Sequence, residues 1–298
     1  MSSLNGSVVG ILHPGVMGSA IAAQARRNSR DVLWCPIGRS AKTRSRADSA
    51  GLTSVESLAE LVAKSGIIIS LCPPAFASDV ADSVAEESFR GLYVEANALA
   101  PERTKDVTNR LEKVGATVVD ACVIGSPPTS ERQTELYVSG PAPGVAAVMG
   151  LFGHTNVTVR SLGAEVGRAS ALKMAFSAYQ KAARTLAGVA HALAREHGVE
   201  SDLGRIAQQH RTNYLADVGY VPKVAARAWR WAPEMGEVGA ALRAVGLPSE
   251  LADATASVMN RWAGAKDQNF SVDEALALLG QAPETKKGPA DTAGPHVG

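Results

Sequence analysis

Two glycines three residues apart, Gly15 and Gly18, stand in the stretch SVVGILHPGVMGSAIAAQA over residues 7–25. The apolar run before them reads as a buried strand and the small residues after them as a helix. Backbone N–H groups at a helix N-terminus carry partial positive charge and receive phosphate. Gly15 lets the backbone approach a diphosphate, and Gly18 lets the helix pack close to the strand. His13 takes the place of the first glycine in the usual G-x-G-x-x-G, and Pro14, Val16 and Met17 complete the turn. A second cluster, Arg39, Ser40, Thr43 and Arg44, follows the second apolar run, and no acid appears until Asp48. Guanidinium and hydroxyl groups there suit a ribose 2′-phosphate, so the expected cofactor is NADP(H) rather than NAD(H). A third candidate is Lys173, set among Leu172, Met174, Ala175 and Phe176. An amine near the cofactor can act as general acid to a carbonyl or imine, or as base to an alcohol.

These groups need a frame. Strands are expected over 8–12, 31–35, 67–71, 91–96, 116–121, 135–139 and 156–159, with helices between them, one starting within 54–58 and others over 75–89, 104–114 and 143–152. Regular alternation to about residue 162 predicts an α/β domain with a doubly wound, mostly parallel sheet. Its ligand crevice should be lined by the loops 12–18, 36–44, 72–76, 96–101 and 122–128. Cys72, Pro73, Pro74 and Asn97 therefore join the candidate cofactor contacts. From 164 to 196 a proline-free stretch predicts one helix, about 50 Å long, crossing between domains. Helical patterning continues to about 279, with breaks at Gly219, Pro233, 246–248 and Gly264. The expected domains are 1–162, an all-α domain over 163–280, and a disordered tail over 281–298, rich in Pro, Gly, Lys and Thr.

Composition narrows the classes. The chain has 298 residues, 46% hydrophobic and 20% charged, with a formal net charge of +1. That balance gives no electrostatic case for nucleic acid or an anionic membrane. Cys35, Cys72 and Cys122 have no metal-ligand spacing and no CxxC pairing, so no metal is expected and a reducing cytoplasm is. No leader and no apolar run long enough to span a membrane is read in the sequence.

A GxxxG (Gly163 to Gly167) followed by Lys173 at the head of a long helix, behind an N-terminal dinucleotide fold, resembles the β-hydroxyacid dehydrogenase family. That family includes 6-phosphogluconate and 3-hydroxyisobutyrate dehydrogenases. The resemblance implies a Rossmann-type first domain, Lys173 as the catalytic lysine, and the loop after Asp120-Ala121, with Gly125-Ser126, as the substrate loop. Leu12 to Gly18, Lys173-Met174-Ala175, and Arg230-Trp231 through Glu234-Met235 resemble a poorly characterised branch with a short C-terminal domain. His13 is expected in that branch. The similarity reaches about residue 262. It also implies a homodimer through the helical domain, with Trp231, Trp229 and Met235 as pocket candidates. Asp120 is read as a cap for a neighbouring turn.

Two departures bear on the substrate. The family's asparagine pair after the lysine is replaced by Phe176 and Ser177, and Ile124 stands where a serine is usual. A sugar acid would lose hydrogen-bond partners there. Tyr179, Gln180 and Lys181 offer replacements. The expectation is an NADP(H)-dependent oxidoreductase acting on a small hydroxy or keto substrate. The alternatives are an imine reductase or reductive aminase, and a non-catalytic NADPH sensor.

Overall fold

The computed structural model describes residues 7–209, 214 and 217–281. Eight strands form one sheet: β1 (Val8–Leu12), β2 (Asp31–Trp34), β3 (Thr53–Ser54), β4 (Ile67–Ser70), β5 (Leu92–Glu95), β6 (Thr117–Ile124), β7 (Thr134–Ser139) and β8 (Val157–Ser161). Their spatial order is β3-β2-β1-β4-β5-β6-β7-β8. Every neighbouring pair is parallel except β6 with β7. The order reverses at β1, and ligands bind at the carboxyl edge of such a switch point.

Side-chain alternation along the strands builds two cores. Val9, Ile11, Ile67, Ile69, Val94, Val119 and Ala121 face one side, where α1 (Val16–Ala25), α2 (Ala41–Ser49) and α6 (Ala142–Leu151) cover them. Leu12, Ile68, Tyr93 and Val118 face the other, beneath α3 (Leu58–Lys64), α4 (Ala77–Glu86) and α5 (Pro101–Lys113). Gly10 keeps β1 close to α3, because a Cβ there would fall 2.5 Å from the Leu61 side chain. This is the doubly wound sheet expected from the alternation.

Several boundaries differ from the sequence reading, and three of the differences have a local cause. Residues 53 and 54 pair with Leu33 and Trp34 as a short strand, and Ser57, accepting the Glu60 N–H, caps the helix that follows. Helix α5 begins at Pro101 rather than 104, since proline at the first position needs no N–H partner. The long helix α7 is Arg168–Glu196, 29 residues. It starts later than 164 because Gly163 and Gly167 both hold positive φ, 97° and 105°.

The chain divides into two compact units, residues 1–180 with 233–253, and residues 181–232 with 254 onward. The end of the sheet near 162 is thus not the end of the first unit, which keeps the head of α7. Within it, Ser177 donates to Glu234 at 2.7 Å, and Glu237 accepts the Ala100 N–H and an Arg103 guanidinium. Pro233 does not break the chain as expected; it lies inside α10 (Ala228–Ala244), at the division between the units.

The second unit is helical, with α8 (Glu200–Gln209), α9 (Val221–Ala225), the C-terminal part of α11 (Glu250–Met259) and α12 (Val272–Gly280) beside the distal half of α7. Trp262 is fully buried and donates its indole N–H to Ala275 at 2.8 Å. Gly188 leaves room for that ring, 3.4 Å from where a Cβ would sit. Arg195 binds both Glu200 and Asp273. Beyond Gln281 the expected tail lies outside the described residues. Among the described residues no helix is long and apolar enough to cross a membrane.

The head of α7 is fastened to the sheet by one side chain. Asp120, buried on β6, accepts the N–H groups of Gly167 at 2.9 Å and Ser170 at 3.0 Å, the Ser170 hydroxyl at 2.7 Å and the Ser139 hydroxyl at 3.2 Å. A carboxylate at a helix N-terminus is stabilised by the helix dipole as well as by the bonds. Asp120→Ala should lower the stability of the first unit by about 3 kcal/mol, read from the urea midpoint at unchanged m-value, because it strands buried donors.

Candidate dinucleotide and substrate site

The turn after β1 is shaped by His13, whose φ is 67°, and by Gly15, whose N–H returns to the His13 carbonyl at 2.7 Å. Gly18 is required by contact: a Cβ would lie 2.6 Å from that same carbonyl oxygen. Gly15 has the opposite character. A Cβ there would meet nothing within 4 Å, so the backbone is open toward the carboxyl edge. Gly15 is also the N-cap of α1, and no side chain caps that terminus. An uncapped helix N-terminus fronted by a glycine fits a phosphate.

Arg39 follows β2, and its buried Nε has no hydrogen-bond partner among the described residues. Its positive charge and burial together hold the His13 imidazole neutral, with burial the larger cause and the titration lowered to about 4. Ser40 is the N-cap of α2 and accepts the Thr43 N–H at 3.2 Å, while Arg44 is exposed on the first turns of that helix. The bare Arg39 Nε at this strand end can donate to an anion.

The loops after β4 and β5 meet. The Cys72 N–H donates to Asn97 Oδ1, and Asn97 Nδ2 donates to Ser70 Oγ at 2.9 Å. Asn97 is 2% exposed. Its amide is turned inward, so the residue presents its loop instead of offering a side chain to a cofactor. Pro73 and Pro74 lead into a short 3₁₀ turn, Pro74–Phe76. Burial pushes the Cys72 thiol up to about 12, so it is no nucleophile at neutral pH.

Lys173, one turn past Ser170, donates from Nζ to the Val123 carbonyl at 3.0 Å. Val123 lies near the end of β6, two residues before Gly125, whose φ is 122°. The Ser126 carbonyl accepts the Thr134 hydroxyl, and Ser126 itself is exposed. Lys173, Gly125, Ser126 and Gln180 all belong to the first unit; Lys181 and Trp231 belong to the second. There Lys181 is buried with its ammonium 5.5 Å from the Trp231 ring centroid. Trp229 is covered by Lys266 at 4.3 Å, and Met235 is fully buried.

One group escaped the sequence reading. Glu95, the last residue of β5, is fully buried and accepts the Asn97 N–H at 2.9 Å. Its signal was present as a lone acid at the end of an otherwise apolar strand.

A glycine-opened turn, an uncapped helix end and a basic group after β2 define a protein that binds a dinucleotide across a parallel sheet. Residues 8–163 match the family described as the NAD binding domain of 6-phosphogluconate dehydrogenase, and the chain belongs to that family. It is therefore a nicotinamide-dependent oxidoreductase by membership. Residues 194–262 match a domain described only as DUF1932, of unknown function. An uncharacterized 28.5 kDa protein of Methanothermus fervidus is 26% identical over 200 residues, 67% of this chain and 76% of that one. The solved structure of the conserved protein MTH1747, described as similar to 3-hydroxyacid dehydrogenases, is 25% identical with a TM-score of 0.62, covering 92% of this chain and 100% of that one. Mycobacterium tuberculosis 3-hydroxyisobutyrate dehydrogenase with L-serine shares the fold, at 17% identity and a TM-score of 0.71, over 92% and 99% of the two chains.

The His13 environment sets a pH dependence. A histidine whose folded titration is lowered binds its proton more readily unfolded, so stability is lost as pH falls from about 6.5 through about 4. His13→Asn, which tolerates positive φ, should flatten that limb in denaturation curves taken across this pH range.

Proposed function

We propose that the protein is an NADP(H)-dependent reductase or dehydrogenase of a small hydroxy or keto compound, with Lys173 as general acid and base. The observation that carries this reading is the Lys173 amine, held by the Val123 carbonyl at the carboxyl edge of β6 beside the 125–126 loop. Backbone amides at the start of α1 would hold the diphosphate, with Gly15 giving access. Arg39 would take the 2′-phosphate through charge-assisted bonds, with Arg44 and Ser40 beside it. When bound, the nicotinamide supplies or accepts the hydride. Lys173 gives a proton to the substrate oxygen in the reductive direction and takes it back in the other. The carbonyl of Val123 orients the amine, and Ser126 and Gln180 are assigned to the polar end of the substrate.

Lys173→Met should lower kcat by about a thousandfold with nucleotide affinity unchanged, the usual reach of a positioned acid–base group. Unchanged turnover removes Lys173 from the chemistry. Fluorescence titration should show NADPH binding at least about tenfold tighter than NADH, and Arg39→Ala should erase most of that ratio. Equal or reversed affinities refute the 2′-phosphate assignment. Substrate panels should include cyclic imines, since turnover of those alone would make the enzyme a C=N reductase.

We further assign the protein to a reducing cytoplasm and to a homodimer built on the helical unit. The three cysteines are free thiols. In the second unit Leu186, Val199 and Ile206 are exposed, and an apolar groove is lined by Ala190, Ala194, Leu203 and Ile206. Sedimentation at twice the chain mass is expected; a monomer overturns the assignment.

A further inference from the structure

Beneath the carboxyl edge, at the ends of β4 and β5, lies a cluster of polar groups that the proposed chemistry does not use. Ser70, Tyr93, Glu95 and Asn97 are all buried. Glu95 Oε1 accepts the Asn97 N–H, and Asn97 in turn accepts the Cys72 N–H and donates to Ser70. One carboxyl group therefore stands under both loops. Its second oxygen, Oε2, is buried with no partner among the described residues, and so is the Tyr93 hydroxyl. Buried polar groups are nearly always satisfied, and an ionised oxygen left bare there is costly.

These loops have a definite relation to the dinucleotide. The α1 turn lies at β1, and Arg39 lies on the β2 side of it. The other end of the dinucleotide must then cross toward β4 and β5. We propose that Glu95 is a positioning residue for the cofactor: through Asn97 it fixes the Cys72 and Asn97 loops on which the nicotinamide end is bound. This rests on the cofactor reading above and adds the group that keeps its second half in place.

The cluster works in one protonation state. Burial, and the charge of Asp120 on β6, push the Glu95 carboxyl up to about 8, against the Asn97 bonds and the Arg103 guanidinium from α5. The other titrating neighbours stay neutral across that range: Cys72 is raised to about 12 and Tyr93 well above its ordinary value. At neutral pH the carboxyl holds its proton. Above about 8 a charge appears on the dry Oε2 oxygen, and hydrating it means opening the cluster, which shifts the loops it carries.

The test is the dissociation constant for NADPH between pH 6 and 10, with folding checked by denaturation at each pH. In the wild type, affinity should fall about tenfold per pH unit above the Glu95 titration, as the protonated form is depleted. Glu95→Gln copies the neutral carboxyl, so it should bind like the wild type at pH 7 and lack that fall. A second comparison tests the route. Glu95→Ala and Asn97→Ala should each weaken binding, and the double variant no more than the worse single one. Identical pH profiles for wild type and Glu95→Gln, or additive losses in the double variant, overturn the proposal and leave the cofactor reading standing. A wild type that binds neither NADPH nor NADH at any pH overturns both.

Discussion

The carboxylate of Asp120 is the constraint on which the rest of the site depends. It takes the first amides of α7 and the Ser170 hydroxyl, and Ser170 is three residues before Lys173. A helix held at its first turn has a fixed rotation, so the lysine is delivered to the Val123 carbonyl without a loop to search through. Ser170 also meets the Thr104 hydroxyl at 2.8 Å, which ties α5 to the same point. The sheet, the helix after β5 and the Lys173 amine are thereby referred to one buried group.

The dinucleotide turn shows a second economy of parts. Gly18 is dictated by the protein itself, since its Cβ would strike the His13 carbonyl, whereas Gly15 is dictated by nothing inside the chain. An open glycine at a helix N-terminus leaves the backbone amides approachable from outside. His13 holds a backbone conformation that most side chains avoid, in a place where glycine would be easier. Its neutral ring adds no positive charge of its own beside the Arg39 guanidinium.

The doubly wound, mostly parallel sheet was legible because buried parallel strands read as apolar runs with breakers after them. The turn after β1 and the long helix that carries Lys173 were legible because their patterns follow directly from strand, turn and helix. What could not be read was whatever depended on contact across the fold. Asn97 looked like a cofactor ligand from its loop, but Cys72 and Ser70, distant in sequence, turn it inward. Pro233 looked like a breaker, yet α10 carries it, with Glu234 and Glu237 beyond it held by Ser177, Ala100 and Arg103. Residues 53–54 became a strand only because β2 offered an edge to pair with.

The reversed strand β7 has a consequence for direction. It runs back beside β6, with Asp120 opposite Ser139, and β8 runs the same way, so the chain returns from the far end of β6 to the level of Asp120 before α7 begins. The helix must then climb along β6, passing Asp120 at residues 167–170 and Val123 at 173. Strand and helix act as two rulers read against each other, about 3.3 Å per residue on one and 1.5 Å on the other. One residue inserted between the two marks would swing the amine by about 100° around the helix axis, so this short interval of chain admits substitutions but no change of length.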